Sequence, residues 1–163
     1  MAHYLHASPI KTKTVDALGR EHFASYYLKD HTAIIELAEA CGLKHLKREE
    51  YDILNTNTAG FGVLINHAIS QGANNLILCV GGSASVDGGI GALREMGLTI
   101  VNNSPNRNYI TDIKGINTEL LQQKLKKFIL QYCVMSISYL WSGGCCRCVC
   151  STKRSIARAN YHA

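Results

Sequence analysis

No acidic residue lies beyond Glu119 in this 163-residue chain. The formal charge of +5 is therefore misleading. Residues 1–119 hold ten Lys/Arg against twelve Asp/Glu, a net of −2, and the remaining segment holds seven Lys/Arg and no acid. A nucleic-acid partner requires basic residues displayed on a folded face, and the body of the chain has no such excess. Long apolar runs are also missing. No stretch approaches the roughly 20 residues of a membrane helix, so no membrane partner is expected. The opening residues Met1-Ala2-His3-Tyr4-Leu5-His6 lack the basic-then-apolar pattern of a secretory signal, and the expected location is cytoplasmic. No Gly-Lys-Ser/Thr follows the glycine-rich stretch, and Gly-x-Gly-x-x-Gly is not well matched, which excludes a Walker A loop and argues against a dinucleotide site.

The length suits one ordinary domain, and 47% apolar residues suffices for a core. Residues 1–13 show no clear periodicity. Asp16-Ala17-Leu18-Gly19-Arg20 reads as a turn before a strand. Phe23–Leu28 and Thr32–Leu37 read as two strands around a tight turn at Lys29-Asp30-His31. Residues 37–42 begin a short helix that Gly42 ends, and Leu43–Asn57 reads as polar loop. Phe61, Leu64, Ile65, Ala68 and Ile69 fall at helical spacing, with Gly72 as the stop. Strand Asn75–Val80, a glycine loop, a helix near 88–96 and a short strand Leu98–Val101 follow. Asn102–Asn108 reads as a turn-rich loop. Leu120, Leu121, Leu125 and Phe128 predict a helix capped by Asn117 or Thr118, and Phe128-Ile129-Leu130 starts a further strand. This order predicts an α/β fold, a fragment of a mostly parallel sheet with flanking helices.

Chemistry concentrates at Gly81-Gly82-Ser83-Ala84-Ser85-Val86-Asp87-Gly88-Gly89. An apolar strand precedes it and a helical segment follows, so backbone N–H groups converge where a phosphate or carboxylate can sit. Gly81, Gly82, Gly88 and Gly89 permit close approach and positive φ, and Ser83 and Ser85 add hydroxyl donors. Asp87 is the only carboxylate between Asp52 and Glu95. It can cap the helix, hold a magnesium ion or accept a proton from a substrate hydroxyl. The plain structural alternative is a strand–helix turn with Asp87 as its cap. A second small, polar loop, Thr56–Gly62, also opens a helix, and both loops can face one crevice at the carboxyl edge of the sheet. None of the seven histidines has ligand spacing or a catalytic assignment. Cys41, Cys79 and Cys133 sit in apolar contexts, as buried thiols do.

These blocks resemble the glycerate kinase family, two-domain α/β enzymes that phosphorylate D-glycerate with ATP. The family's "IEMA-x-ASGL" is similar to Ile35–Leu43, and its "PLG" turn to Ala17-Leu18-Gly19. Its "TT-Y-G-x-GELI" resembles Asn57–Ile65, and "GIGGSATNDGGAGML-x-ALG" resembles Cys79–Gly97. The resemblance runs over residues 14–132, leaving 1–13 unmatched. It implies a kinase with ATP, Mg²⁺ and D-glycerate as its partners. It makes Gly81, Gly82, Ser83, Ser85, Gly88 and Gly89 the phosphate loop and Thr58, Gly60 and Gly62 its support. Asp87 becomes the catalytic candidate, as general base or metal partner. Val86 replaces the family Asn and Val63 the family Glu. Family chains exceed twice this length and carry an N-terminal "APDSFKG" motif, so the resemblance implies a chain truncated at both ends. Two other readings follow from that: a non-catalytic relic, or a small anion- or nucleotide-binding α/β domain. Missing strands would also leave open sheet edges for self-association.

Residues 133–163 follow different rules. Cys145, Cys146, Cys148 and Cys150 crowd into six positions, too tight for paired Cys-x-x-Cys knuckles of a zinc site, and no metal site is assigned. Reading each codon of Gly144–Ile156 from its second base permits Gly-Ala-Ala-Gly-Val-Phe-Ala-Pro-Gln-Lys-Gly-Ala. The family continues "GA-x-x-VFGPQKGA" at this point. The tail is therefore read as out-of-frame translation after a one-base shift between about Gln131 and Ser142. That reading accounts together for the cysteine cluster, the missing acids and the excess positive charge.

Overall fold

The computed structural model describes residues 8–52, 54–102 and 113–133. The chain begins as a meander of β1 (Ser8–Val15), β2 (Glu21–Lys29) and β3 (Thr32–Glu36). β1 pairs antiparallel with β2, and β2 with β3. Strand β1 corrects the aperiodic reading of residues 1–13. Its alternation is real, with Ile10, Thr12 and Thr14 less exposed than Lys11 and Lys13, but threonines hold two of the inward positions. Apolar periodicity is therefore faint there.

The two turns form for local reasons. Between β1 and β2, the Asp16 carboxylate accepts hydrogen bonds from the amides of Leu18 (2.9 Å) and Arg20 (2.9 Å) and from Arg20 Nε (2.7 Å). Gly19 closes this turn at φ +83°. Between β2 and β3, Asp30 (φ 47°) and His31 (φ 63°) form a two-residue connection with left-handed backbone at both positions, the geometry whose twist matches a hairpin.

β3 runs into α1 (Leu37–Cys41), two short 3₁₀ turns and α2 (Ala59–Ser70). Phe61, Leu64, Ile65 and Ala68 form the buried stripe of α2. β4 (Asn75–Cys79) then pairs parallel with β3. After it come α3 (Ile90–Glu95), β5 (Thr99–Asn102), β6 (Ile113–Asn117), α4 (Glu119–Leu125) and β7 (Ile129–Cys133), which pairs parallel with β4. The main sheet has the order β1-β2-β3-β4-β7, and β5 with β6 forms a separate antiparallel ribbon. The strand expected at Leu98–Val101 thus exists but stays out of the main sheet. At the start of α4, Asn117 Oδ1 accepts the Glu119 amide at 2.9 Å, while Thr118 makes no capping bond.

Alternation along the strands sends Ala24, Tyr26, Ala33, Ile35 and Leu76 into one core with the buried stripe of α2, Ala92, Met96 and Leu121. α2 and α3 approach closely because glycines face each other's backbones. A Cβ on Gly62 would lie 2.6 Å from Ala92 O, and one on Gly91 would lie 2.7 Å from the Ala59 amide nitrogen. Among the described residues, no helix is long and apolar enough to cross a membrane.

Candidate active site

β3 and β4 run in the same direction, so their carboxyl ends open on the same edge. β4 ends at Cys79, and Val80 leads outward to Gly81–Gly89. Gly82 (φ 74°), Gly88 (φ 62°) and Gly89 (φ 81°) are all left-handed, which is what the glycines are for. Gly81 is half-buried at the strand end, and Gly82 and Gly88 are exposed. The loop is tied to the end of α1 and the residues just after it by Leu43 N–H to Gly82 O (3.2 Å) and Ala84 N–H to Cys41 O (2.9 Å). Inside the loop, the Ser85 amide donates to Ser83 Oγ at 3.1 Å, and the two hydroxyls lie 3.1 Å apart.

Asp87 and Thr58 join the two polar loops. Both are buried, Asp87 at 6% and Thr58 at 3% exposure. Asp87 Oδ2 accepts from the Thr58 amide (2.9 Å), the Thr58 hydroxyl (2.7 Å) and the Gly91 amide (2.9 Å). Asp87 Oδ1 accepts from the Gly89 amide (3.2 Å) and, at longer range, the Ser85 hydroxyl (3.4 Å). Thr58 Oγ1 in turn accepts the Ala92 amide at 3.0 Å. One carboxylate and one hydroxyl thereby satisfy the first amides of α3, the service an N-cap performs.

Gly60 and Gly62 are placed by packing. A Cβ on Gly60 would meet Val15 O at 1.9 Å, and its own carbonyl accepts the Thr14 hydroxyl at 2.8 Å. Gly62 faces α3. Thr58 is the residue of that trio in contact with the glycine loop.

A cleft of about 610 Å³ lies behind the loop. Ser83, Ser85, Gly88 and Gly89 stand at it, and Phe61, Ile65, Leu78, Leu93, Leu125 and Leu130 supply apolar walls. Among the described residues, its lining holds no Lys or Arg, and Asp87 is the one carboxylate. The volume falls in the range of small-molecule sites, which combine apolar walls with a few polar groups. Gly91 and the apolar walls escape the sequence reading, since each looks like ordinary core. The Gly88–Gly91 spacing, which puts a glycine at the second position of α3, is the signal that marks the α2–α3 approach.

Cys41 and Cys79 are buried and unpaired. Burial pushes the Cys41 thiol up to about 11, so it is no nucleophile at neutral pH. The side chain of Cys133 and the cysteine cluster at 145–150 lie outside the described residues. No three His, Cys, Asp or Glu side chains gather as metal ligands among the described residues.

The family model described as "Glycerate kinase family" matches residues 1–135. This chain belongs to the glycerate kinase family. The match takes in residues 1–13, which the motif reading leaves out. A glycerate kinase from Bacillus cereus (strain ATCC 10987 / NRS 248) is 37% identical over 115 residues, covering 66% of this chain and 30% of the relative. Glycerate 2-kinase from Escherichia coli (strain K12) is 33% identical over 105 residues, covering 61% of this chain and 28% of the relative. A solved glycerate kinase 2 structure from Salmonella typhimurium LT2 superposes with a TM-score of 0.76 at 27% identity, covering 82% of this chain and 38% of that one. The chain thus spans about 30% of the length of the curated glycerate kinases it matches.

Proposed function

We propose that this chain carries the phosphate-handling part of an ATP-dependent D-glycerate kinase site. The observation behind this reading is the meeting of the two polar loops at Asp87 and Thr58 beside the cleft, in a chain of this family. Left-handed glycines keep side chains away from the backbone where phosphate oxygens approach. The apolar walls suit the base of a nucleotide. In phosphoryl transfer, catalysis rests on positioning and electrostatics rather than on covalent chemistry by the protein, so loop shape is the first requirement. Gly81, Gly82, Ser83, Ser85, Gly88 and Gly89 form the phosphate loop in this reading, with Thr58 beneath it.

The described residues do not make a magnesium site by themselves. Asp87 is the one carboxylate lining the cleft, and its oxygens already face protein donors. Among the described residues, the cleft lining also has no cation to meet the γ-phosphate. Relatives are more than three times as long as the matched region, and we assign the remaining charge to the portion with no counterpart here. The 163-residue chain is accordingly proposed to be inactive alone. A coupled assay with ATP and D-glycerate tests this, with turnover indistinguishable from background as the expected result. Measurable turnover would overturn the inactive reading.

A second reading, a small nucleotide-binding domain, is favoured by the cleft itself. Thermal-shift titration with ATP and with D-glycerate separates it from a relic that binds neither. A cytoplasmic location is part of this proposal, and cell fractionation checks it. We also propose that residues 133–163 are out-of-frame translation. Sequencing the coding DNA tests that, and the idea fails if no frame change restores the family motif downstream of codon 142.

A further inference from the structure

We infer that Asp87 is the latch that holds the two polar loops in register, with Thr58 as its striker, and is not the proton acceptor of the reaction. A general base needs a lone pair turned toward the substrate hydroxyl. A carboxylate offers about four lone-pair positions. Oδ2 already accepts three hydrogen bonds, from the Thr58 amide, the Thr58 hydroxyl and the Gly91 amide, at 2.9 Å or less, more than its own two positions, and Oδ1 faces Gly89 and Ser85 of its own loop. At 6% exposure it presents little of itself to the cleft. Thr58 is used as fully: its hydroxyl donates to Asp87 and accepts from Ala92.

The consequence is mechanical. The glycine loop leaves β4, and Thr58 opens α2, 29 residues earlier in the chain. Among the described residues, the hydrogen bonds that join the loop and the start of α3 to α2's first turn run through these two side chains and the Ala92 amide. Gly91 lets the pair close, since a Cβ there would lie 2.7–3.0 Å from Ala59 N, Thr58 N and Asp87 Oδ2. Asp87 is therefore a positioning residue, and any proton acceptor comes from outside the described lining of the cleft. This rests on the phosphate-loop reading for its functional meaning, but its geometry stands without it.

The test is a double-mutant cycle on the full chain, read by thermal unfolding and by ADP binding in calorimetry. Asp87→Asn and Thr58→Val each leave buried partners unpaired, and each is expected to lower Tm by about 5–10 °C. The double variant should fall within about 2 °C of the worse single one, because both break one device. Thr58→Ser keeps the hydroxyl and should restore most of the loss. ADP affinity should drop about tenfold in Asp87→Asn and Thr58→Val and return in Thr58→Ser. A free catalytic base behaves otherwise, since its removal is neutral or stabilising and indifferent to Thr58. Unchanged Tm in Asp87→Asn, or strict additivity, would overturn the latch. Lost stability with unchanged ADP affinity would overturn its positioning role. If the parent chain binds no ADP at all, the nucleotide reading fails, and the unfolding cycle still decides the latch.

Discussion

At the scale of the residue, glycines of the two polar loops do different jobs. Gly60 is glycine because Val15 O sits where its Cβ would be, at 1.9 Å. Gly89 has nothing within 4 Å of that position and is glycine because its φ is +81°. Gly60→Ala is expected to cost about 3 kcal/mol or more through forced backbone movement. Gly89→Ala should cost only about 1–2 kcal/mol, the penalty of a left-handed L-residue. Urea unfolding of the two variants separates them. Asp16 gives a pH prediction. Burial pushes its carboxyl upward, but the amides of Arg20 and Leu18 and the Arg20 guanidinium outweigh that and hold it below the usual value. The folded state thus binds the Asp16 proton less readily than the unfolded state. Its stabilisation is present above the unfolded value near pH 4 and is lost as pH falls through the folded one. Asp16→Asn should flatten the acid limb of a stability–pH profile. His45 acts in a higher window. Burial and the neighbouring His22 lower its pKa, so stability falls as pH drops from about 6.5.

At the scale of the element, the two edges of the main sheet differ. β1 carries Pro9, Lys11 and Lys13, residues that discourage pairing with another chain. β7, Ile-Leu-Gln-Tyr-Cys, carries no charge, and Ile129 is 64% exposed. Among the described residues β7 pairs on one side only, with β4. Association of the chain at high concentration is expected to run through this edge. Ile129→Lys should shift light-scattering mass toward monomer while leaving the far-UV spectrum unchanged. Much of the element pattern was legible in the sequence. The β2–β3 turn, the stripe of α2 and the strand ending in glycines are local features, set by side-chain period and backbone preference. β1 was not, because threonine at inward positions hides its period. The β5–β6 ribbon was not either, since a strand's sheet membership depends on partners far along the chain.

At the scale of the whole molecule, the cleft and the open carboxyl edge belong together. A space of about 610 Å³ with apolar walls should bind an anilinonaphthalene sulfonate dye in the native state. ADP is expected to displace that dye if the nucleotide occupies the cleft. Fluorescence titration at constant circular dichroism checks both statements.

The sequence alone determined the family, because the block Cys79–Gly97 is long and its glycines answer backbone demands that few sequences share. It also located the glycine loop proposed to bear the site. Only the tertiary structure supplies the partners of Asp87 there. From the sequence, cap, metal partner and base all stood open, with the pattern alone favouring the cap, since each needs one carboxylate at a helix start. The latch proposal rests on Thr58, whose hydroxyl and amide reach Asp87 because α2 and α3 pack through Gly62 and Gly91. Hydrogen bonds to a side chain from residues remote in sequence are products of packing, and no local pattern records them.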